Sequence, residues 1–358
     1  MKTVDEFEQF YRSALMPDLK VIEAERKKAL LLFMLMCGVI VAAVPAVAVV
    51  WRTFGYRPSV LVTILPLIVV AWAGAPKEAR LKGSFALLIL TGILLIHENM
   101  KVLYFILSPI FLGGYVRFFY RMATGKYAAD FGERIAQKIA HFINEGLTYV
   151  KDSFVEEDEF TGSSLFEKTP DHMSGSDLVI GTVGETEISF SNCLAQYEYY
   201  SPERKITEHL TIFRGLFFVA RLKGRSFPDI FIMPRGSMRL FAPRGYLLNK
   251  SIGSLAKAER FTDPYFRQRF EVYAEEPEGA RILLYGEIVR LISAIGKVVG
   301  KPMYISIIGS KIHIAISYSK NILAPGAFLS LLDFASFRRY YELIALPVQI
   351  IEELDKKT

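Results

Sequence analysis

The stretch Met303-Tyr-Ile-Ser-Ile-Ile-Gly-Ser-Lys-Ile-His-Ile-Ala-Ile316 holds two apolar runs of strand length separated by Gly309-Ser310. A two-residue connection with glycine first is what a tight antiparallel hairpin requires. Met303–Ile308 and Lys311–Ile316 therefore read as paired strands. The same pattern recurs upstream. Thr186–Phe190 alternates with Ile188 and Phe190 on one face, and Gly184-Glu185 before it supplies a second two-residue turn. Thr211–Leu222 reads as a long aromatic strand carrying Phe213, Phe217 and Phe218.

Two segments near the hairpin change period. Glu278–Val299 places Ile282, Tyr285, Val289, Ile292 and Ile295 at helical spacing, and Ser336–Leu354 does the same with Phe337, Tyr340, Tyr341, Ile344, Val348 and Ile351. Pro347 marks a kink or division in the second helix. Strands grouped together and then helices predict an α+β domain with an antiparallel sheet over residues 158–358.

The first third is written differently. Ala29–Trp51 is 23 residues without a charge, and Pro58–Pro76 is another uncharged run. A hydrocarbon core of ~30 Å needs about 20 such residues. Gly83–Ile96 and Val102–Val116 are shorter apolar runs joined by the polar turn His97–Lys101. The reading is four transmembrane helices in two hairpins, at about 29–51, 58–76, 82–97 and 101–118. A cleaved signal peptide does not fit, because the first apolar run starts only at Ala29.

Lysine and arginine set the expected orientation. Arg26, Lys27, Lys28, Lys77, Arg80, Lys82, Arg117, Arg121 and Lys126 flank one side of the spans, against Arg52, Arg57 and Lys101 on the other. Both termini are thereby placed on the cytoplasmic side of a bacterial inner membrane. Residues 1–28 open with Thr3 and Glu6 at capping-box spacing, followed by Phe7, Phe10, Tyr11, Ala14 and Leu15 on one helical face. Pro17 is expected to stop that helix, and a second to restart at Asp18. Two resting places suit the first helix, the membrane surface or the C-terminal domain. Residues 120–157 are expected to be a connecting helix, with Phe131, Ile135, Ile139, Phe142 and Ile143 as its apolar face.

Composition excludes several classes. Mean hydropathy is +0.28, high for a wholly soluble chain, and 27 Phe with 18 Tyr exclude disorder. Two cysteines, Cys37 and Cys193, exclude a disulfide scaffold. The net charge of +6 lies mostly beside the apolar spans, so it reads as a topology signal rather than a nucleic-acid footprint. Within the C-terminal half, residues 151–210 hold 13 Asp/Glu against 4 Lys/Arg, and residues 221–269 hold 11 Lys/Arg against 3 Asp/Glu. Arg235, Arg239, Arg244 and Lys250 are the candidate contacts for anionic lipid or a partner. The plainer reading is that the two blocks neutralise each other or are solvated.

No phosphate loop, nucleophile elbow or zinc-protease helix occurs. The five histidines, His97, His141, His172, His209 and His313, show no metal-ligand spacing, so neither metal nor cofactor is expected. His313, between Ile312 and Ile314, is expected to be solvated. Ser254/Lys257 and Ser317/Lys320 match a nucleophile pattern without its companion motifs, and Glu156–Glu159 reads as a solvated acidic loop. His97 and Glu98 sit at an expected hairpin tip.

Taken in order, Asp177-Leu-Val-Ile-Gly-Thr-Val-Gly184, Thr186-Glu-Ile-Ser-Phe190, Phe213-Arg-Gly-Leu-Phe-Phe218, Phe270-Glu-Val-Tyr273, Glu278-Gly-Ala-Arg-Ile-Leu283, the turn at Gly309 and Ile350-Ile-Glu-Glu-Leu354 resemble a bacterial membrane-protein family, domain of unknown function 3137. The resemblance runs from about Phe131 to Leu354. It implies an inner-membrane protein with a cytoplasmic α+β domain and no assigned catalytic residues. Two spans are usual there, so Gly83–Val116 and the long basic stretch Met233–Arg260 are departures.

The expectation is a non-enzymatic integral membrane protein whose cytoplasmic domain binds a protein partner or the membrane surface, as a scaffold or regulator. The alternative is a small transport or channel component acting through the four-helix region as a homo-oligomer.

Overall fold

Alternating apolar residues and tight glycine turns dictate most of the sheet. In the computed structural model, which describes residues 2–54, 131–203, 205–224, 226–237, 249–318 and 330–356, the strands are β1 (Leu147–Val150), β2 (His172–Val183), β3 (Thr186–Ser201), β4 (Ile206–Arg221), β5 (Phe227–Pro234), β6 (Ala256–Ala258), β7 (Phe270–Ala274), β8 (Met303–Gly309) and β9 (Lys311–Ser317). Among the described residues they form one nine-stranded sheet in the order β1-β2-β3-β4-β9-β8-β5-β7-β6. Every pairing is antiparallel. The α+β class with an antiparallel sheet is thus as expected. Both two-residue turns hold: Val183 pairs with Thr186 across Gly184-Glu185, and Ile308 with Lys311 across Gly309-Ser310.

The chain divides into two units, one of Met1–Lys20, Asp130–Pro325 and Ser330–Thr358, the other of Val21–Ala129 with Gly326–Leu329. In the first, α1 (Val4–Phe10) has the capping box: Thr3 Oγ1 accepts from Glu6 N at 3.2 Å, and Glu6 Oε2 from Thr3 N at 2.5 Å. The helix does not stop at Pro17. Tyr11–Leu15 is wound as a π-helix and leads straight into α2 (Met16–Phe54). The Met16 N–H reaches back to Tyr11 O, a π-spaced bond, and the helix runs on through Pro17. Of the two resting places, α1 takes the second. The Phe7 ring stacks on Tyr341 at 4.3 Å and lies 5.6 Å from Phe142.

The stretch 120–157 is not one helix. α3 (Gln137–Ile143) follows a π-helical turn, buries Ile139 and Ile143, and ends there; β1 begins four residues later. The helix expected over 278–299 is broken too. α6 (Pro277–Leu283) and α7 (Glu287–Val299) are separated at Gly286, whose φ of +73° is left-handed backbone that only glycine takes freely. The break turns Ile282 and Tyr285 outward, whereas Val289, Ile292 and Ile295 are buried as expected. α8 (Phe334–Lys356) absorbs Pro347 within its length and buries Phe337, Tyr340, Tyr341, Ile344, Val348 and Ile351.

One face of the sheet carries Phe213, Phe217, Phe231, Tyr304 and Ala315, closed over by Phe160 and Phe166 from α4 (Glu157–Gly162) and its exit. The other face presents Phe190, Phe218 and Ile314, which are also fully buried. A sheet buried on both faces explains why its strands read as almost continuous apolar runs. At Gly215, φ +157°, a side chain would collide with the Ile316 carbonyl oxygen, so β4 and β9 approach closely there.

In the second unit only α2 is described beyond Lys20. Glu23 and Arg26 pair there, Nη2 to Oε1 at 2.7 Å, and Leu31, Met34, Leu35 and Val49 are exposed. Among the described residues no helix is long and apolar enough to cross a membrane. Most side chains from 36 to 51 fall outside that description, as do the expected spans 58–76, 82–97 and 101–118 together with His97 and Glu98. Four transmembrane helices are therefore unsupported by the described residues.

Candidate functional site

The break at Gly286 forms one wall of a surface cleft in the sheet unit. α5 (Pro264–Arg269) is capped by Asp263, whose Oδ1 accepts from Phe266 N at 2.6 Å and Ser293 Oγ at 2.9 Å. Burial raises the Asp263 pKa, but these hydrogen bonds and Lys297 outweigh it and hold the carboxyl below the usual range. Between this cap and the α6–α7 junction opens a cleft of ≈ 780 Å³ lined by Arg260, Asp263, Arg281, Ile282, Tyr285 and Arg290 among others. Ile282 is 71% exposed and Tyr285 68%. Arg281 lies 2.6 Å from Glu278 and Arg290 2.9 Å from Glu287. Arg260 holds φ +67°, a left-handed conformation costing about 1 kcal/mol or more outside glycine. A second, more basic hollow of ≈ 490 Å³ lies by Lys297, Lys301, Arg338 and Arg339. Arg339 is partly committed there, donating to Val299 O at 3.1 Å.

The basic residues singled out from sequence do not assemble into one described surface. Arg235 is held by the fold: its Nε and Nη2 donate to Arg267 O at 3.0 and 2.6 Å, and Nη1 is 3.9 Å from Glu271. Arg239 and Arg244 lie outside the described residues, as does the Lys250 side chain. Glu271 also takes Lys257 at 2.8 Å. Burial raises the Glu271 pKa, yet Lys257, the Gly236 N–H and Arg235 bring it below the usual range. Lys257 is thus an ion-pair partner, and Ser254 Oγ donates to Ser251 O at 2.6 Å, so the Ser254/Lys257 match has no nucleophile geometry. Lys320, of the other match, is outside the described residues.

The acidic run is not simply a solvated loop. Glu157–Glu159 start α4, and Glu159 turns inward to Lys311 Nζ and Arg221 Nη2, both at 2.9 Å. This is one place where the acidic and basic blocks do neutralise each other. Its Oε2 also lies 3.9 Å from His313 Nε2. His313 is not solvated; it is 0% exposed, its Nδ1 is 3.2 Å from Ser306 Oγ, and its ring lies 6.1 Å from Phe217. Alternation correctly put it opposite Ile312 and Ile314, but α4 covers that face too. Burial pushes its pKa down to about 4. Ser306 Oγ in turn donates to Ser163 O at 2.7 Å. A Ser–His–Glu series sealed in the core, with the serine proton already engaged, admits no substrate, so it reads as core architecture rather than a hydrolytic triad.

Sequence spacing missed a further cluster. His172, Glu198 and His209 come from β2, β3 and β4 and converge at the surface.

Fold and surface together define an antiparallel-sheet α+β domain with an amphipathic surface cleft. Residues 211–356, from within β4 to the end of α8, match a family model described as "Protein of unknown function (DUF3137)", which bears out the family resemblance over that stretch but not over Phe131–Leu210 and not its membrane character. Comparison with the curated proteins finds no match. Among solved structures, a crystal structure of the mycobacterial trehalose monomycolate transport factor A is similar over 60% of this chain and 95% of that chain, with 12% identity and a TM-score of 0.32. A likeness that weak carries no argument about this chain.

Proposed function

We propose that this protein is a membrane-anchored binding protein whose sheet domain docks a protein partner at the cleft beside Gly286. The carrying observation is that Ile282 and Tyr285 stand 71% and 68% exposed among Arg260, Arg281 and Arg290. Tyrosine and arginine around an apolar anchor are the residue types that dominate protein-interface energetics. The ion pairs of Arg281 and Arg290 with Glu278 and Glu287 leave the cleft with little net charge. That favours a protein partner over an anionic lipid surface.

The anchor rests on the uncharged run Ala29–Trp51, which lies within the continuous helix α2. The exposure of Leu31, Met34, Leu35 and Val49 also suits lipid better than water. The distribution of Lys and Arg around the apolar runs supports a cytoplasmic side for the sheet domain.

The test is photo-crosslinking of the full chain in its native membrane with a photoreactive phenylalanine at Tyr285. A discrete protein adduct that disappears with Ile282→Asp is the expected result. Adducts to lipid alone, or none, overturn the docking reading. Alkaline carbonate should leave the chain in the membrane pellet; release into the supernatant overturns the anchor.

A further inference from the structure

The register of the sheet places three metal-binding side chains on one face of its outer ribbon. His209 lies directly across from Glu198 in the β3–β4 pairing, and His172 pairs with Gln196, one same-face step from Glu198 along β3. His172 Nε2 approaches Glu198 Oε1 to 2.8 Å, and the two imidazole rings sit edge to face with centroids 4.9 Å apart. One ligand atom from each residue lies within 4.8 Å of the others. A tetrahedral ion with bonds of about 2.0–2.1 Å needs its ligands about 3.3–3.4 Å apart. Exposed side chains on fixed strands reach that spacing by small χ rotations.

We propose that His172, Glu198 and His209 bind a divalent transition-metal ion of the zinc class. Two imidazoles and one carboxylate suit zinc, cobalt, nickel or copper, whereas calcium and magnesium require mostly oxygen ligands. Three protein ligands leave a fourth position for water or for a donor from another molecule. The backbone beneath is pinned: Asp171 Oδ2 accepts from Glu198 N at 2.7 Å, and Asp171 N donates to Gln196 O at 2.9 Å. A plain His–carboxylate surface pair accounts for His172 and Glu198; the register adds His209 as a third donor at the same point.

The position of the site gives the ion a structural task. The pairing of β4 with β9 ends at Gly215–Ser317, so the segment of β4 that carries His209 lies beyond it. There β2, β3 and β4 continue as a three-stranded ribbon out to His172, and β3 and β4 run on as a two-stranded hairpin that exposes Tyr199, Tyr200 and Ile206. One ion bonded to all three strands staples that ribbon. This inference is independent of the docking reading.

The experiment is titration of the purified full chain in detergent with Co2+ alone, followed by visible absorption. The expected result is a saturable one-to-one ligand-field band displaced by Zn2+. Combined His172→Ala and His209→Ala should abolish it, and Glu198→Gln should weaken Co2+ binding about tenfold or more. Zn2+ should raise the melting temperature of the wild type but not of the double variant. The altered positions are exposed, so the double variant should melt like the metal-free wild type. No band, a band of equal strength in the double variant, or equal stabilisation of both by Zn2+ overturns the proposal.

Discussion

His313 Nε2 faces the Glu159 carboxylate at 3.9 Å, too far for a hydrogen bond, and is buried without any other partner among the described residues. The imidazole is therefore neutral in the fold, with a pKa brought down by burial from 6.5 to about 4. The unfolded chain binds the extra proton first, so the stabilisation is complete above about pH 6.5 and is lost as pH falls toward 4. The displacement corresponds to about 3 kcal/mol across that window. Glu159, held below its usual range against the opposing effect of burial, adds a loss in the same direction at lower pH. His313→Leu should flatten the decline in melting temperature between pH 6.5 and 4, measured by near-ultraviolet circular dichroism on the full chain. An unchanged slope contradicts a neutral buried imidazole.

The N-terminal helix is an integral part of the sheet unit, because Phe7 is fully buried and stacked on Tyr341 with the planes 9° apart. Tyr341 Oη donates to Lys2 O at 2.6 Å, and Lys138 Nζ reaches Asp18 Oδ2 at 2.5 Å. Phe7→Ala should cost about 3–5 kcal/mol if the neighbours do not collapse into the space. Limited proteolysis should then cut within residues 1–20 before the sheet. Equal resistance of wild type and variant would mean the stack contributes little.

Gly215 is needed for contact between strands rather than for a turn. A methyl group there meets the Ile316 carbonyl oxygen, and backbone in a β-ladder cannot yield as a side-chain tip does. Gly215→Ala should lower stability by roughly 3 kcal/mol, read as a shift in urea midpoint. A shift within about 0.5 kcal/mol of zero would show that β4 and β9 can separate locally.

What was legible in the sequence followed local chemistry. The turns at Gly184 and Gly309 and the capping box at Thr3 are decided by adjacent residues, so they stood out. The break at Gly286 was hidden because the helical period persists across it, and only the outward turn of Ile282 and Tyr285 betrays it. His313 was misplaced because alternation identifies a face without saying whether α4 covers it. Pro17 does not stop the helix, which passes from the π-wound turn Tyr11–Leu15 straight into α2. The His172–Glu198–His209 cluster depends on the register of three strands, and no spacing along the chain encodes that. Arg235 has the composition of a lipid contact, but its guanidinium is committed to Arg267 O.

Cys193 provides a native probe of how tightly the sheet is closed. Its side chain is buried beside Phe213 and Phe217 in the face covered by α4, with Sγ 3.1 Å from Ser191 Oγ. Burial pushes the thiol up to about 11, against weaker opposing hydrogen bonds from Ser191 and Val155. Only the thiolate attacks a maleimide, so at pH 8 about one thiol in a thousand is in the reactive form, and the reagent cannot reach it while the sheet is closed. Labelling should therefore proceed only through opening of the core, slowly in native buffer and at once in denaturing urea. Peptide mass spectrometry separates Cys193 from Cys37 and reports each rate. Ser191→Ala removes a hydrogen bond that favours the thiolate, and Val155 N, which donates to Ser191 Oγ at 2.9 Å, loses that oxygen acceptor. The thiol pKa should rise further while the local structure loosens. Faster native labelling of the variant would mean that opening governs reactivity, and slower labelling that the thiolate fraction does. Rapid modification of the wild-type Cys193 in native buffer would contradict the closed face altogether.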